Sequence, residues 1–382
     1  MQYRKLGSTG LTVSEIGLGC EGFIDRTWEY TREVFDLALS EGVNCMDLYS
    51  PNPDMQQRVG RAVAAVRDSF VLQAHLCTRW HNGQYEATRK LDEVKAAFEA
   101  QLQNLGTDYL DIGMIHYVDS EESWEKAMNG PYLDYVLSLR KAGTIRHIGM
   151  STHNPVMARR AAESGVVEML LFSINPAFDL VPPTEDINDY FSEEYDASLA
   201  GIDPERAAMY RICEQNDVGI TVMKPFAGGR LFDAKRSPFQ VALTPAQCIH
   251  YCLTKPAVAS VLCGYDTPEQ VDAAVAYETA SEAEKDYASV LAAAPRHSFT
   301  GECTYCGHCK PCPMDIDIAM VNKLYDLAVM QPEVPASVRE HYRALAHHAD
   351  ECVGCGGCES RCPFGVKVAE RMQRMAETFG TV

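Results

Sequence analysis

Leu110-Asp-Ile-Gly-Met-Ile-His116 is a short, mostly apolar run that ends on a histidine. Strands buried on both faces have this composition, because neither side of their sheet meets water. Seven other runs of similar length share it, at residues 15–19, 43–47, 70–74, 145–150, 168–173, 219–223 and 258–263. The pattern predicts eight buried strands spread over the first two thirds of the chain.

Helical patterns separate these runs. One of them carries a single apolar stripe at spacings of three and four residues, formed by Leu91, Val94, Phe98, Leu102 and Leu105. Strands that each precede a helix predict an α/β fold, a parallel (β/α)8 TIM barrel over residues 1–280. Residues 3–13, which contain Gly7 and Gly10, predict a hairpin that closes the bottom of this barrel.

Eight of the fifteen cysteines lie in two tight runs near the C-terminus. The second run ends Cys-Glu-Ser-Arg-Cys-Pro and has the bacterial ferredoxin spacing C-x2-C-x2-C-x3-C-P, whereas the first is one residue shorter before its last cysteine. In ferredoxins of this type the cysteine before proline ligates the other cluster. The runs therefore predict two 4Fe-4S clusters held by Cys303, Cys306, Cys309, Cys312, Cys352, Cys355, Cys358 and Cys362. Zinc binding by paired C-x2-C motifs is the alternative.

The cysteine runs predict a ferredoxin-like, α-helical two-cluster module over residues 301–382. We expect a helix over residues 281–300 to link this module to the barrel.

The net charge of −19 repels phosphate backbones, so no nucleic-acid partner is expected. The acidity either aids solubility or steers a basic redox partner protein. Many free thiols in an odd total predict a reducing compartment, the cytoplasm. No apolar run reaches the roughly 18 residues that a membrane span needs, and the first residues lack signal-peptide features, so no membrane association is expected.

Catalytic groups of such barrels lie where the strands end, at the C-terminal rim. The residues found there are Asp47, His75, His116, Ser151, Asn175, Lys224 and Gly264. The long stretch 178–203, which follows the sixth strand and contains Tyr190, Phe191 and Tyr195, is expected to lie over this rim as a lid or substrate loop. A disordered or partner-docking segment is the alternative.

Four motifs carry a resemblance to the aldo/keto reductases, which spans nearly all of residues 1–280. They are the opening stretch 3–14, the histidine motif at 111–116, the strand-five motif at 145–151 and the loop Met-Lys-Pro-Phe-Ala-Gly-Gly-Arg-Leu at 223–231. With its cysteine module the chain resembles the subfamily that bears a C-terminal ferredoxin-like domain.

The resemblance implies a tetrad of Asp, Tyr, Lys and His that protonates a carbonyl while a nicotinamide delivers hydride. Asp47 and His116 match this tetrad, but Asn52 stands at the tyrosine position and His75 at the lysine position. Two replacements are open: Tyr49 supplies the missing phenol, or His75 and His116 act as an acid–base pair. A mononuclear metal site formed by His75, His116 and Asp47 is a third interpretation.

The resemblance also implies a nucleotide site along the rim. Ser151, Asn175 and Lys224 would line it, and Gly228, Gly229 and Arg230 would bind a pyrophosphate through backbone N–H groups and a fixed charge. Gly264, Thr267 and Gln270 belong to the strand-eight loop, which offers the acidic residues Asp266, Glu269 and Asp272 where the family holds a 2′-phosphate. NAD(H) or a flavin is therefore expected, and NADP is disfavoured.

Three functions fit the sequence. The first is an iron–sulfur oxidoreductase that acts on a small organic, carbonyl or ring-containing substrate, with electrons relayed through the clusters; a flavin would join one-electron and two-electron chemistry. The second is a nicotinamide-dependent carbonyl reductase with structural clusters, and the third is a non-catalytic electron-transfer or binding subunit. A redox-neutral proton abstraction or elimination is a variant of the first.

Overall fold

The computed structural model describes residues 1–191, 201–265, 267–294, 299–330 and 333–380. Its strands are β1 (Tyr3–Lys5), β2 (Thr12–Ser14), β3 (Ile16–Gly19), β4 (Cys45–Leu48), β5 (Val71–His75), β6 (Thr78–His81), β7 (Gln84–Ala87), β8 (Leu110–Ile115), β9 (Ile145–Thr152), β10 (Met169–Ser173), β11 (Gly219–Met223) and β12 (Val258–Cys263). Eight of them, β3-β4-β5-β8-β9-β10-β11-β12, form a closed parallel barrel in which β12 pairs back to β3, with Val261 opposite Ile16. The predicted TIM barrel is thus confirmed, with strand ends displaced by at most two residues.

The N-terminal hairpin closes the bottom of the barrel. β1 pairs antiparallel with β2, and Arg4 lies opposite Val13. Leu6 and Val13 are fully buried in a cluster with the inward-facing Ile112 and Met169. The barrel is therefore a packed core at this end, and its polar chemistry is confined to the opposite rim.

Helices surround the barrel in chain order: α1 (Trp28–Ser40), α2 (Pro53–Val63), α3 (Leu91–Leu105), α4 (Glu121–Met128), α5 (Pro131–Ala142), α6 (Pro155–Glu163), α7 (Pro204–Gln215), α8 (Pro245–Leu253) and α9 (Pro268–Val275). Most of them begin with proline, whose missing N–H would have no helical partner at that position. The α3 stripe faces the core, and Gly106 ends the helix at φ 62°, a left-handed conformation that glycine adopts without strain.

The hairpin β6–β7 is an addition that the strand pattern did not predict. It lies between β5 and α3, with Trp80 paired to Tyr85. Asn82 and Gly83 form its turn, with φ values of 51° and 75°. Asn-Gly is a strong signal for this kind of turn, because both central residues need positive φ.

The C-terminal region is helical. The stretch expected as one linking helix forms two short helices, α10 (Glu282–Lys285) and α11 (Tyr287–Ala292), because Asp286 caps the second through the Ser289 N–H. Beyond them lie α12 (Ile318–Ala328), α13 (Ala336–Arg343), α14 (Gly357–Arg361) and α15 (Val368–Phe379). No helix among the described residues is long and apolar enough to cross a membrane.

Direct contacts join this region to the barrel. The Tyr251 ring of α8 packs on the Tyr287 ring of α11, with centroids 5.1 Å apart, and the Tyr287 hydroxyl donates to the Thr304 carbonyl at 3.1 Å. The Lys323 ammonium lies 2.8 Å from the Glu214 carboxylate at the end of α7.

A buried ion pair holds α7 against the barrel. The Arg206 guanidinium and the Asp179 carboxylate lie 3.0 Å apart, and both side chains are fully buried. Asp179 also accepts from the hydroxyls of Tyr210 and Tyr251, each at 2.7 Å. Such a pair is strongly destabilising when only one partner is removed, because the other charge stays buried without compensation.

We predict that Arg206→Met lowers the free energy of unfolding by about 3–5 kcal/mol, because the Asp179 carboxylate is left unpaired. Anaerobic denaturant titration followed by circular dichroism measures this. The double variant Arg206→Met/Asp179→Asn is expected to recover a substantial part of the loss, because no charge is then buried alone. Equal stability of the single and double variants would contradict the prediction.

Candidate functional site

A continuous row of four side chains occupies the C-terminal rim of the barrel. Asp47 at the end of β4, His75 at the end of β5 and His116 just after β8 are all buried. Asp47 Oδ1 lies 2.8 Å from His75 Nε2, and His75 Nδ1 contacts His116 Nδ1. His116 Nε2 lies 3.2 Å from the hydroxyl of Tyr85, which the hairpin β6–β7 brings to the rim. We call these four residues the relay.

The relay fixes the roles of its nitrogen atoms. The Asp47 carboxylate can only accept, so His75 Nε2 carries a proton. With both histidines neutral, His116 Nδ1–H donates to His75 Nδ1, and Tyr85 donates to His116 Nε2. Gln73 supports this orientation by donating to Asp47 Oδ1 at 2.9 Å.

Tyr85 is the last group of the relay, and its surroundings keep the proton on its hydroxyl oxygen. Burial, reinforced by the neighbouring His75, keeps the pKa of His116 well below the ordinary histidine value. Burial, with a further contribution from a hydrogen bond with Tyr117, raises the pKa of Tyr85 above the ordinary tyrosine value. At neutral pH the phenol is therefore protonated and His116 does not readily compete for its proton.

Tyr49 and Asn52 have different positions from the relay. The Tyr49 ring lies beside it, 6.5 Å from the His75 ring and 6.2 Å from the Tyr85 ring between centroids. Burial raises the pKa of Tyr49. Asn52 instead caps α2, accepting from the Met55 N–H at 3.0 Å. Asn52, which the resemblance aligned with the family's tyrosine, thus stabilises a helix end.

A second polar cluster, Asp119–His153–Lys224, lies at the same rim, in the loops that follow β8, β9 and β11. Asp119 accepts from the His153 N–H at 2.6 Å, and His153 Nε2 lies 3.4 Å from Lys224 Nζ. Burial alone would raise the pKa of Asp119, but hydrogen bonds from His153 and Thr152 keep it below the ordinary aspartate value. Burial lowers the pKa of Lys224. Asp119 is therefore a fixed anion in the same loop as His116 of the relay.

The sequence reasoning did not select Tyr85, Asp119 or His153. The Asn82-Gly83 turn signal could have found the hairpin and, with it, Tyr85. His153 lies immediately beyond β9, a position from which a side chain reaches the rim.

The residues expected to bind a nucleotide lie along the same rim. Gly228 and Gly229 are consecutive left-handed residues with φ of 63° and 80°, and Arg230 follows them as a buried residue. The Gly229 N–H already donates to the Phe226 carbonyl at 2.9 Å. The arrangement therefore leaves fewer backbone donors for a pyrophosphate than the sequence alone predicted.

The remaining residues of the predicted nucleotide site differ in exposure. Ser151 is buried on β9, and Asn175 donates to the Lys224 carbonyl at 2.9 Å while accepting from two N–H groups of its own turn. Gly264, Thr267 and Gln270 are exposed at the end of β12 and the start of α9, and a side chain at Gly264 would meet open space. Asp266 lies outside the described residues.

The described part of the stretch 178–203 packs on this rim. The Tyr190 hydroxyl donates to the His153 carbonyl at 3.2 Å, and the Phe191 ring lies against Gly228. Phe178 contacts both aromatic rings, at centroid distances of 5.2 and 5.1 Å. Tyr195 lies outside the described residues.

The cysteines divide into two sets across their motifs. Cys312 lines one cavity together with Cys352, Cys355 and Cys358, the first three cysteines of the second motif. Burial is the main cause that raises the pKa of the Cys306 thiol, and the nearby Cys362 adds to it. The last cysteine of each motif thus lies with the other motif, as the ferredoxin spacing predicts.

We call Cys303, Cys306, Cys309 and Cys362 the inner set, and Cys312, Cys352, Cys355 and Cys358 the outer set. Two sets of four thiols fit two cubane clusters, which take four thiolates each.

No three His, Cys, Asp or Glu side chains among the described residues converge as the ligands of one metal ion do. In the relay, both His75 nitrogens already contact Asp47 and His116, so the three side chains form a row and do not surround one point. A single zinc ion would draw its ligands to about 2.0–2.3 Å from one point. The geometry of the relay thus does not favour the mononuclear metal site.

Paired cysteine substitutions test the crossed ligand sets. We predict that Cys312→Ala/Cys355→Ala damages one cluster and retains roughly half of the iron, because both residues belong to the outer set. Cys312→Ala/Cys306→Ala is expected to damage both clusters and lose most of the iron. Iron analysis and low-temperature EPR of anaerobically purified protein measure this, and the reverse result would mean that each motif holds its own cluster.

Comparisons with known proteins agree with this architecture. Residues 15–244 match the aldo/keto reductase family, and residues 299–366 match the 4Fe-4S dicluster domain. The oxidoreductase YqkF of Bacillus subtilis (strain 168) is 25% identical over 289 residues, which cover 71% of this chain and 89% of YqkF. The aldo-keto reductase YhdN of the same organism is 27% identical over 160 residues, which cover 40% of this chain and 47% of YhdN.

A solved structure shows the same fold. The aldo-keto reductase AKR11C1 from Bacillus halodurans (holo form) superimposes with a TM-score of 0.57 at 21% identity, covering 75% of this chain and 94% of its own. The chain therefore belongs to the aldo/keto reductase family and is an oxidoreductase that carries a C-terminal 4Fe-4S dicluster domain.

Proposed function

We propose that the barrel reduces or oxidises a small organic substrate with a carbonyl group or a ring, and that two 4Fe-4S clusters relay its electrons. The observation that carries this proposal is the unbroken relay from Asp47 to Tyr85, which ends in a protonated phenol at the rim. In this proposal the relay takes the place of the tyrosine and lysine that belong to the family motif and that this chain lacks. Catalytic groups of the fold lie at this rim.

The residues present fit both kinds of cofactor. A nicotinamide or flavin along the rim, between Gly228 and Gly264, would supply hydride, and the clusters would supply single electrons. Glu269 at this loop keeps a lowered pKa through its hydrogen bond with Thr267, so it stays ionised and disfavours a 2′-phosphate. NAD(H) or a flavin is therefore the cofactor that we propose for the barrel.

The relay has two states that differ by one proton on His75. In the loaded state both His75 nitrogens carry protons, so His75 donates to Asp47 and to His116 Nδ1. His116 Nε2–H then donates to the Tyr85 oxygen, and the phenol proton is free to point at the substrate. The Asp47 carboxylate accepts the His75 Nε2–H in this state, as it does in the neutral arrangement.

Carbonyl reduction discharges the relay. As hydride reaches the carbonyl carbon, Tyr85 gives its proton to the carbonyl oxygen, His116 passes its Nε2 proton to Tyr85, and His75 passes its Nδ1 proton to His116. One proton leaves, and the relay ends in the neutral arrangement with Tyr85 donating to His116. Alcohol oxidation follows the same transfers in reverse.

The different exposure of the two cysteine sets supports one direction of electron transfer through the clusters. Val353, beside Cys352 of the outer set, is 63% exposed, and Cys355 is exposed as well. Cys306 of the inner set lines a cleft with the barrel residues Glu214 and His250. We therefore propose that electrons enter at the outer cluster and reach the barrel through the inner cluster.

Tyr85→Phe tests the relay. We predict that it lowers kcat by about 10²–10⁴-fold, because it removes the hydroxyl that protonates the substrate. Rates are measured anaerobically with aldehydes, ketones and quinones, using NADH or reduced viologen as the electron donor. Tyr49→Phe, the matched variant at the same rim, is expected to have a much smaller effect, and the reverse order would make Tyr49 the proton donor.

The choice of electron donor separates the other functions. Activity with NADH that survives removal of the outer cluster by Cys355→Ala would support a nicotinamide-dependent reductase with structural clusters. Absence of turnover with every donor and substrate would support a non-catalytic electron-transfer subunit.

A further inference from the structure

Lys255 is a buried lysine at the seam between the barrel and the C-terminal region. It follows α8, and only 2% of the residue is exposed. Among the described residues its ammonium has no hydrogen-bond partner. The ammonium lies 3.7 Å from the centre of the Tyr251 ring, whose face attracts cations.

The buried carboxylate of Asp179, which acts on the Lys255 charge, does not neutralise it. Asp179 is already paired with Arg206 at 3.0 Å and accepts from Tyr210 and Tyr251. The buried charges of Asp179, Arg206 and Lys255 therefore sum to one positive charge. A buried charge without compensation costs several kcal/mol, so an anion is expected nearby.

The inner cysteine set lies next to this charge. Lys255 and Cys306 line the same cleft, in which Tyr305 and Gly307 also take part. Burial lowers the pKa of Lys255, and Asp179, Cys252, Cys306 and Cys303 oppose that shift. Two thiols of the inner set are thus within electrostatic reach of the buried ammonium.

We propose that Lys255 is the counter-charge of the inner 4Fe-4S cluster and raises its reduction potential. A cubane with four thiolates is a net anion and gains a further negative charge on reduction. A buried cation stabilises the reduced form more than the oxidised form, because the attraction grows with the charge and solvent does not screen it. Lys255 belongs to the barrel, so the barrel itself sets this potential.

The consequence is a bias in electron transfer between the two clusters. Lys255 makes the inner cluster easier to reduce than it would be without the charge. The residue therefore favours transfer of an electron from the outer cluster towards the barrel. The inference rests on the proposed ligand sets and not on the chemistry of the relay.

Lys255→Met tests the proposal. Anaerobic redox titration followed by EPR, without substrate, gives the potential of each cluster. We expect the reduction potential of one cluster to fall by about 59 mV or more, which is at least a tenfold change in its one-electron equilibrium. The other cluster is expected to keep its potential, and Lys255→Arg, which retains the charge, is expected to change neither potential to that extent.

Lys310→Met is the matched control. Lys310 follows Cys309 directly, but its side chain is 60% exposed and lies 3.5 Å from Asp317. Solvent screens such a charge, so its removal is expected to leave both potentials nearly unchanged.

The outcomes decide the proposal. Unchanged potentials in Lys255→Met, with full iron content, would overturn it, as would an equal shift in Lys310→Met. If Lys255→Met loses iron, Lys255→Gln is titrated in its place. Loss of one cluster from both neutral variants and its retention in Lys255→Arg would support a required counter-charge. Tyr85→Phe is expected to change turnover without changing either potential, so the two proposals fail separately.

Discussion

The carboxylate of Asp179 joins parts of the chain that are far apart in sequence. It receives the Arg206 guanidinium and the Tyr210 hydroxyl from α7, and the Tyr251 hydroxyl from α8. The backbone carbonyl of Asp179 accepts from the Asp203 N–H at 2.7 Å, and this bond fixes the end of the stretch 178–203 to the barrel. Tyr251 in turn packs on Tyr287, which is bonded to the loop of the first cysteine motif. The rim, the outer helices and the C-terminal region therefore depend on one buried negative charge.

The barrel was predictable because parallel strands buried on both faces leave a plain apolar pattern. The same constraint brought Asp47, His75 and His116 together, since strand ends of a parallel barrel share one rim. Tyr85 was missed because the resemblance directed attention to the loop after β4, whereas Tyr85 lies on the hairpin after β5. Its Asn82-Gly83 turn was visible in the sequence and was not used.

Other features depend on tertiary packing, which the spacing of residues in the sequence does not reveal. The sequence marks Cys312 as a cysteine before proline, but its neighbours are set by how the two motifs fold against each other. Lys255 follows α8 like an ordinary surface lysine, and it is buried because the C-terminal region covers it. Asn52 illustrates the opposite case, in which a position that the resemblance placed in the active site caps a helix.

The proposed chemistry separates the supply of protons from the supply of electrons. Protons come from the relay on the β4, β5 and β8 side of the barrel, and electrons come from the side of α7 and α8. Each supply is anchored by a buried carboxylate, Asp47 in one case and Asp179 in the other.

The crossed cysteine sets have a consequence for the life of the protein in a cell. Each cubane would be a covalent bridge between two segments about forty residues apart, so neither motif could be filled alone during biogenesis. Damage to the exposed outer cluster by oxygen would also release the anchor of Cys312 and loosen the loop that holds the inner set. The module would then be matured, and inactivated, as a single unit.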